Sequence, residues 1–296
     1  GCVTSKGMIR SARAIGEMRR APEFGVHLSE EPTVNFREVM ERMREIRTGI
    51  SQHDSVERFS EELGIDVFLG KAAFIGDRSV KVGDAVFQYK KAVIATGARP
   101  IVPDIPGLQE AGFLTNETLF SITSQPQSLA ILGAGPIGCE MAQTFRRLGT
   151  QVTLIDNSDR IFSREDPDAL DILEKTFQKE GIDIRVSTIL VNVSASNGGK
   201  LLTLQSHGET DTLAVDELLV GVGRTPNIQS LNLDKVGVEY DKYGVKVNNR
   251  LQTTNKRIYA AGDVALSYKF THTADATARI VIQNALFMGR AKVSDL

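Results

Sequence analysis

One hexapeptide constrains this chain more than any other stretch: Gly133-Ala134-Gly135-Pro136-Ile137-Gly138. It follows a short apolar run at 129–132 and opens a segment with helical period. The next apolar run, 152–155, ends in Asp156. Strand, glycine turn, helix and a second strand ending in an acid are the context in which this glycine spacing carries meaning. Gly133 permits the tight turn, Gly135 lets backbone approach a pyrophosphate, and Gly138 lets helix and strand pack closely. Unpaired N–H groups at the helix start, with Pro136 and Ile137 completing the turn, then face the phosphates. A carboxylate at Asp156 accepts hydrogen bonds from a ribose 2′-hydroxyl and repels a 2′-phosphate. This favours NAD(H) over NADP(H), although Arg160 and Arg164 lie close enough in sequence to oppose that preference.

Around this unit, strand and helix patterns alternate, which predicts an α/β fold with two Rossmann-like doubly wound domains. Residues 5–20 read as a helix with a solvated arginine face, and 36–62 as a long helix with a break near 49–51. The segments 66–75, 79–83 and 85–97 read as short β-type runs, and three prolines in 99–108 mark a linker. A second helix–strand pair covers 166–186. Strand-like runs fill 188–220, with a hairpin expected at Ser196-Asn197-Gly198-Gly199-Lys200. A helix over roughly 272–289 closes the pattern. The expected domains are 1–112; 113–250, a nucleotide domain; and 251–296, a return segment of the first.

Composition narrows the function. The formal net charge of −2 gives no general attraction to nucleic acid or an anionic membrane. With no tryptophan there is little to build a base-stacking surface from. No apolar run is long enough to span a bilayer. Only two cysteines, Cys2 and Cys139, are present, so a disulfide-stapled scaffold is not expected and a reducing cytoplasmic setting is. Cys139, within the helix after the glycine turn, reads as a small core residue. His27, His53, His207 and His272 lack metal-ligand spacing, so no metal site is expected.

Several separated stretches take on meaning together: GCVTSK at 1–6, ATGARP at 95–100, GAGPIGCE at 133–140, GVGRTPN at 221–227 and YAAGDV at 259–264. In this order they resemble the flavoprotein pyridine nucleotide-disulfide oxidoreductases. SREDPDA at 163–169 and FTHTADATARIVIQNALF at 270–287 look most like the mercuric-reductase-like branch. The resemblance implies an FAD-dependent enzyme that passes electrons from NAD(P)H through FAD to a cysteine pair. From there they would reach a disulfide, Hg(II) or another small-molecule acceptor. A dihydrolipoyl-dehydrogenase-like activity, or an inactive fragment that only binds dinucleotide, are the alternatives. The resemblance also implies that the chain starts inside the CxxxxC redox motif and lacks a C-terminal dimerisation domain, the whole protein being a homodimer. Thr4 stands where the family commonly has proline.

Carried over residue by residue, Cys2 resembles the flavin-facing cysteine. Its place at a helix start is expected to favour the thiolate. Lys6 resembles the lysine beside the flavin ring, and Glu140 its ion-pair partner. Thr96 and Gly97 resemble the turn closing under FAD. Asp263, with Gly262 beside it, resembles the aspartate on the ribityl chain, Ala73 the adenine-contacting backbone, and Gly223 the link near the nicotinamide.

Overall fold

A computed structural model describes residues 2–163, 165–196, 198–287 and 289–295. In chain order the elements are α1 (Cys2–Arg20), α2 (Phe36–Ser51), β1 (Ala72–Gly76), β2 (Ser79–Val82), β3 (Ala85–Gln88), β4 (Ala92–Ile94) and β5 (Ala98–Pro100). Next come α3 (Leu108–Ala111), β6 (Ser128–Leu132), α4 (Pro136–Leu148), β7 (Gln151–Ile155), α5 (Pro167–Lys179) and β8 (Asp183–Arg185). Then follow β9 (Thr188–Ser196), β10 (Gly199–Ser206), β11 (Glu209–Val215), β12 (Glu217–Val220) and β13 (Arg224–Pro226). The last are β14 (Tyr240–Asp241), β15 (Gly244–Val245), β16 (Ile258–Ala260) and α6 (Thr271–Leu286). The chain forms two compact units, 1–54 with 100–223 and 55–99 with 224–296.

The first unit is built on a parallel sheet of order β12-β6-β7-β8. Its central strand β6 is apolar along its length because both faces are covered, as parallel sheets require. Leu129 and Ile131 point into one core, with Phe145 and Met141 of α4 and Phe177 of α5. Ala130 and Leu132 point into another, with Leu202 and Leu204 of β10. That second face is covered by the antiparallel meander β9-β10-β11, where a helical layer would complete a doubly wound domain. The physical reason is in the sequence: 188–215 alternates in period two and offers one apolar face. Ser196 sits opposite Gly199 at the expected hairpin, whose Asn197 lies outside the described residues.

The arginine-bearing helix α1 packs on α2 and α4. Met8 and Ala12 of α1 and Phe36, Met40 and Met43 of α2 are buried in the same cluster as Phe145. The rings of Phe36 and Phe145 lie 6.1 Å apart and tilted. Arg10, Arg13, Arg19 and Arg20 are exposed, although Arg19 also donates to the Arg147 carbonyl. The α2 helix ends at Ser51, passing into a 3₁₀ turn.

In the second unit β1-β2-β3 form an antiparallel meander and β4 pairs with β16 in parallel. The core gathers Phe74, Ile94, Ile258, Ala260 and Val264. The β-type reading of 66–71 is corrected here: strand begins only at Ala72. Ile65, Phe68 and Leu69 are exposed, Leu69 by 82%. Strand propensity without a neighbouring strand does not fix a strand.

Phe145 links the helical layer to the sheet. Phe145→Ala is expected to lower the unfolding free energy by about 3–5 kcal/mol in urea titration. A loss below about 1 kcal/mol would contradict a core shared by α2, α4 and β6.

Candidate functional site

The glycine turn closes the C-terminal end of β6, beside that of β12. The crevice where the strand order reverses is at this end of a parallel sheet. Gly133 has φ +106°, and a Cβ there would lie 2.6 Å from the Gly221 carbonyl oxygen. A Cβ on Gly138 would lie 1.9 Å from the Gly133 carbonyl oxygen. Both glycines are therefore demanded by the protein itself. Gly135 differs. It is the N-cap of α4 with φ −80° and ψ −172°, an ordinary extended conformation. A Cβ there would meet nothing within 4 Å. Nothing in the fold asks for glycine at 135, and the open space lies over the N–H groups that begin α4. Such a cradle fits a pyrophosphate. Pro136 occupies the first turn, where its missing N–H costs nothing, and Ile137 packs against the core.

Asp156 is engaged with this turn. Its Oδ2 accepts from the Ala134 N–H at 2.6 Å and its Oδ1 from the Ser158 N–H at 2.8 Å. The chain then folds back, and the Phe162 N–H donates to the Ala134 carbonyl at 2.9 Å. Phe162 holds φ +47°, uncommon for a bulky residue. Arg160 turns towards α5, its Nη2 2.7 Å from Asp171 Oδ1 and 3.3 Å from Glu174 Oε2. Arg164 lies outside the described residues. Behind the turn, Cys139 Sγ–H donates to the Ala134 carbonyl at 3.3 Å. Burial, with Asp156 and Glu140 nearby, pushes its thiol up to about 12.

The α4 helix also carries Glu140, whose Oε1 meets Lys6 Nζ of α1 at 2.5 Å across 134 residues of sequence. The side chains are 59% and 38% exposed, so the pair orients more than it stabilises. Cys2, exposed, precedes Lys6 by one turn and shares its helix face. Thr4, the departure from proline, is buried. A groove of ≈ 220 Å³ runs beside the ion pair between α1 and α4, floored by Ile9 and Ala12 and closed by Gln143 and Arg147. Gly223, with φ +127°, ends this unit.

The remaining expected cofactor residues belong to the second unit. Thr96 Oγ1 donates to the Asn227 carbonyl at 2.7 Å. Asn227 Nδ2 donates back to the Thr96 carbonyl at 2.9 Å, and the Asn227 N–H to the Gly97 carbonyl at 2.9 Å. The two motifs ATGARP and GRTPN are thus joined by Asn227 and by Arg224, whose Nη2 donates to the Ala98 carbonyl, roles visible only once both were placed. Gly97 has φ +66° and Gly262 φ +73°, left-handed conformations that suit glycine. Asp263, 17% exposed, lies 3.4 Å from Arg224, too long for a strong charge-assisted bond. Its carboxylate keeps acceptor capacity that fits a polyol hydroxyl. The buried Nε of Arg224 has no partner among the described residues. Lys269 donates to the Arg224 carbonyl at 2.7 Å, and burial draws its pKa down. Ala73 sits on β1 opposite Lys81. His272 stacks on Phe270. Among the described residues no three His, Cys, Asp or Glu side chains converge to hold a metal ion, and no helix is long and apolar enough to cross a membrane.

The sequence profile of the pyridine nucleotide-disulphide oxidoreductases matches residues 1–278. Mercuric reductase from Staphylococcus aureus is 34% identical over 99% of this chain and 53% of its own length. Dihydrolipoyl dehydrogenase from Bacillus subtilis is 28% identical over 93% of this chain and 60% of its own. Among solved structures, the HOCl-induced flavoprotein disulfide reductase RclA from Escherichia coli superposes with a TM-score of 0.87 at 28% identity. The match covers all of this chain and 63% of RclA. The chain thus spans about half the length of the mercuric reductases it matches.

The thiol environments predict a reactivity split. A thiol reagent at neutral pH should label Cys2 alone, with Cys139 reacting only on unfolding. The raised Cys139 pKa also has a stability consequence. The fold favours the protonated thiol, so its contribution is whole below the ordinary value of 9.0 and is lost as pH rises through about 12. Cys139→Ala should flatten the alkaline fall in stability followed by denaturant titration across that window.

Proposed function

The chain belongs to the pyridine nucleotide-disulphide oxidoreductase family, and from that premise we propose that the whole protein is an FAD-dependent reductase drawing electrons from NADH. Bound FAD would supply the two-electron relay between nicotinamide and a cysteine pair. The chain's own residues divide the remaining tasks. Gly135 admits the nicotinamide nucleotide's pyrophosphate to the start of α4, and Asp156 takes the adenosine ribose hydroxyls. Glu140 orients Lys6, whose ammonium favours negative charge accumulating near it. Cys2 is one sulfur of the pair. Two electrons and two protons convert the pair's disulfide to a dithiol, which then reduces the acceptor. Thr96, Gly97, Gly262, Asp263 and the Ala73 backbone hold the flavin nucleotide in the second unit, and Gly223 lies near the nicotinamide.

The observation that carries this reading is the Lys6–Glu140 contact, made one helical turn from the cysteine and one turn into the glycine-loop helix. The preference for NADH is supported by the Asp156 carboxylate at the glycine turn and by the two carboxylates that hold Arg160. The acceptor is a disulfide or a soft metal ion such as Hg(II), classes supported by the names of the relatives. The flavin region is 1–112 with 251–296 and the nucleotide region 113–250. These differ from the compact units because Cys2 and Lys6 ride on a helix packed against α4. The whole protein works as a cytoplasmic homodimer. A second reading, dinucleotide binding without electron transfer, is favoured for this chain alone by one observation: the turn, the open cradle and Asp156 all lie in one compact unit.

The visible absorption spectrum of the purified chain separates the two. A flavin band that bleaches anaerobically with NADH is expected from the reductase reading. A colourless chain that also fails to bleach added FAD restricts it to nucleotide binding. The glycines give a further separation. Gly135→Val should weaken NADH binding by about tenfold or more with little change in Tm, whereas Gly138→Ala should lower Tm. NADH affinity unchanged in Gly135→Val would refute the proposed cradle.

A further inference from the structure

The loop after β7 is fastened at both ends to one residue. Asp156 accepts from the Ala134 N–H, and the Phe162 N–H donates to the Ala134 carbonyl. The loop therefore lies against the glycine turn, and Arg160 is inside it. An arginine in such a loop is the usual partner for the 2′-phosphate of NADP, because its planar fork matches phosphate oxygens. Here the guanidinium is diverted. Nη2 lies 2.7 Å from Asp171 Oδ1 and 3.3 Å from Glu174 Oε2, and Nε donates to Glu174 Oε1 at 3.4 Å. Both acids are on α5, and a cavity of ≈ 260 Å³ lies beside the cluster, lined by Asp159, Arg160, Glu174 and Gln178 over Ile184 and Val186.

We propose that Asp171 and Glu174 are positioning residues that set the nucleotide preference by holding Arg160 away from the ribose 2′ position. The inference rests on the nucleotide site proposed above. A 2′-phosphate carries close to two negative charges at neutral pH. As it approaches it meets the Asp156 carboxylate, while the one arginine of the loop among the described residues is already neutralised by two acids. Exclusion of NADPH is then the work of three carboxylates, two of which never touch the nucleotide. Asp171 and Glu174 also tie the loop to α5, so a purely mechanical role has to be told apart by the readout.

Calorimetric titration of the 296-residue chain with NADH and with NADPH makes that distinction. The wild-type chain is expected to bind NADH at least about tenfold more tightly than NADPH. Asp171→Asn with Glu174→Gln keeps side-chain shape and removes both charges. It should raise NADPH affinity about tenfold, leave NADH affinity within about twofold, and lose its gain in high salt. Adding Arg160→Gln should abolish the gain, which a loosened loop would not do. Asp171→Asn alone, at a side chain 60% exposed, should keep the fold and give about a threefold gain. NADPH affinity unchanged in both charge-removed variants, with NADH still bound, overturns the inference. So does a gain that survives Arg160→Gln, or a wild-type chain that binds both nucleotides equally. A wild-type chain that binds neither overturns the nucleotide site itself and this inference with it.

Discussion

The close approach of Gly138 to the Gly133 carbonyl is the constraint on which the first unit depends. No side chain fits between them, so the first turn of α4 lies directly on the end of β6. That contact fixes the direction in which α4 leaves the sheet. It also fixes the register of everything α4 carries: Cys139 behind the turn, Glu140 towards Lys6, and Phe145 into the core with Phe36. A turn usually read as a nucleotide motif is here the mechanical origin of a helix, and the helix positions the residue that orients Lys6. The difference between Gly135 and its two neighbours shows how glycines in one motif can answer to different demands. Two satisfy the fold, and the third leaves open space over the start of α4.

Much of this was legible in the sequence because it is local. The alternation of Leu129, Ala130, Ile131 and Leu132 predicts a strand buried on both faces. The helix at 167–179 announces itself with Asp166 as N-cap, accepting from the Asp168 N–H, and Pro167 in the first turn. Pairing of Lys6 with Glu140 was legible only through resemblance, since nothing local joins residues so far apart. What the sequence hid is what depends on neighbours. Period-two alternation in 188–215 says that one face is buried, not which layer it will cover. Val67 to Leu69 have strand propensity but gain no strand partner, and they stay largely exposed although the Phe68 ring meets Phe87. The direction of Arg160 is set by acids on another element, and no spacing rule identifies which carboxylates will reach it.

Electrostatics in this molecule guides more than it stabilises. The Lys6–Glu140 and Arg160 contacts are largely open to solvent on at least one side, where ion pairs contribute little to folding. Stability comes from the apolar clusters on either face of β6. The charged residues are therefore free to change at small cost to the fold.

The sealing of Cys139 decides which sulfur of this chain an oxidant can reach. Its sulfur lies beneath the glycine turn, 2% exposed, while Cys2 is at the surface. A disulfide within one folded chain would require Cys2 to reach a sulfur that the core encloses. Within these residues the two sulfurs therefore have separate fates: solvent and its oxidants meet Cys2, while Cys139 spends its thiol on packing beneath the turn.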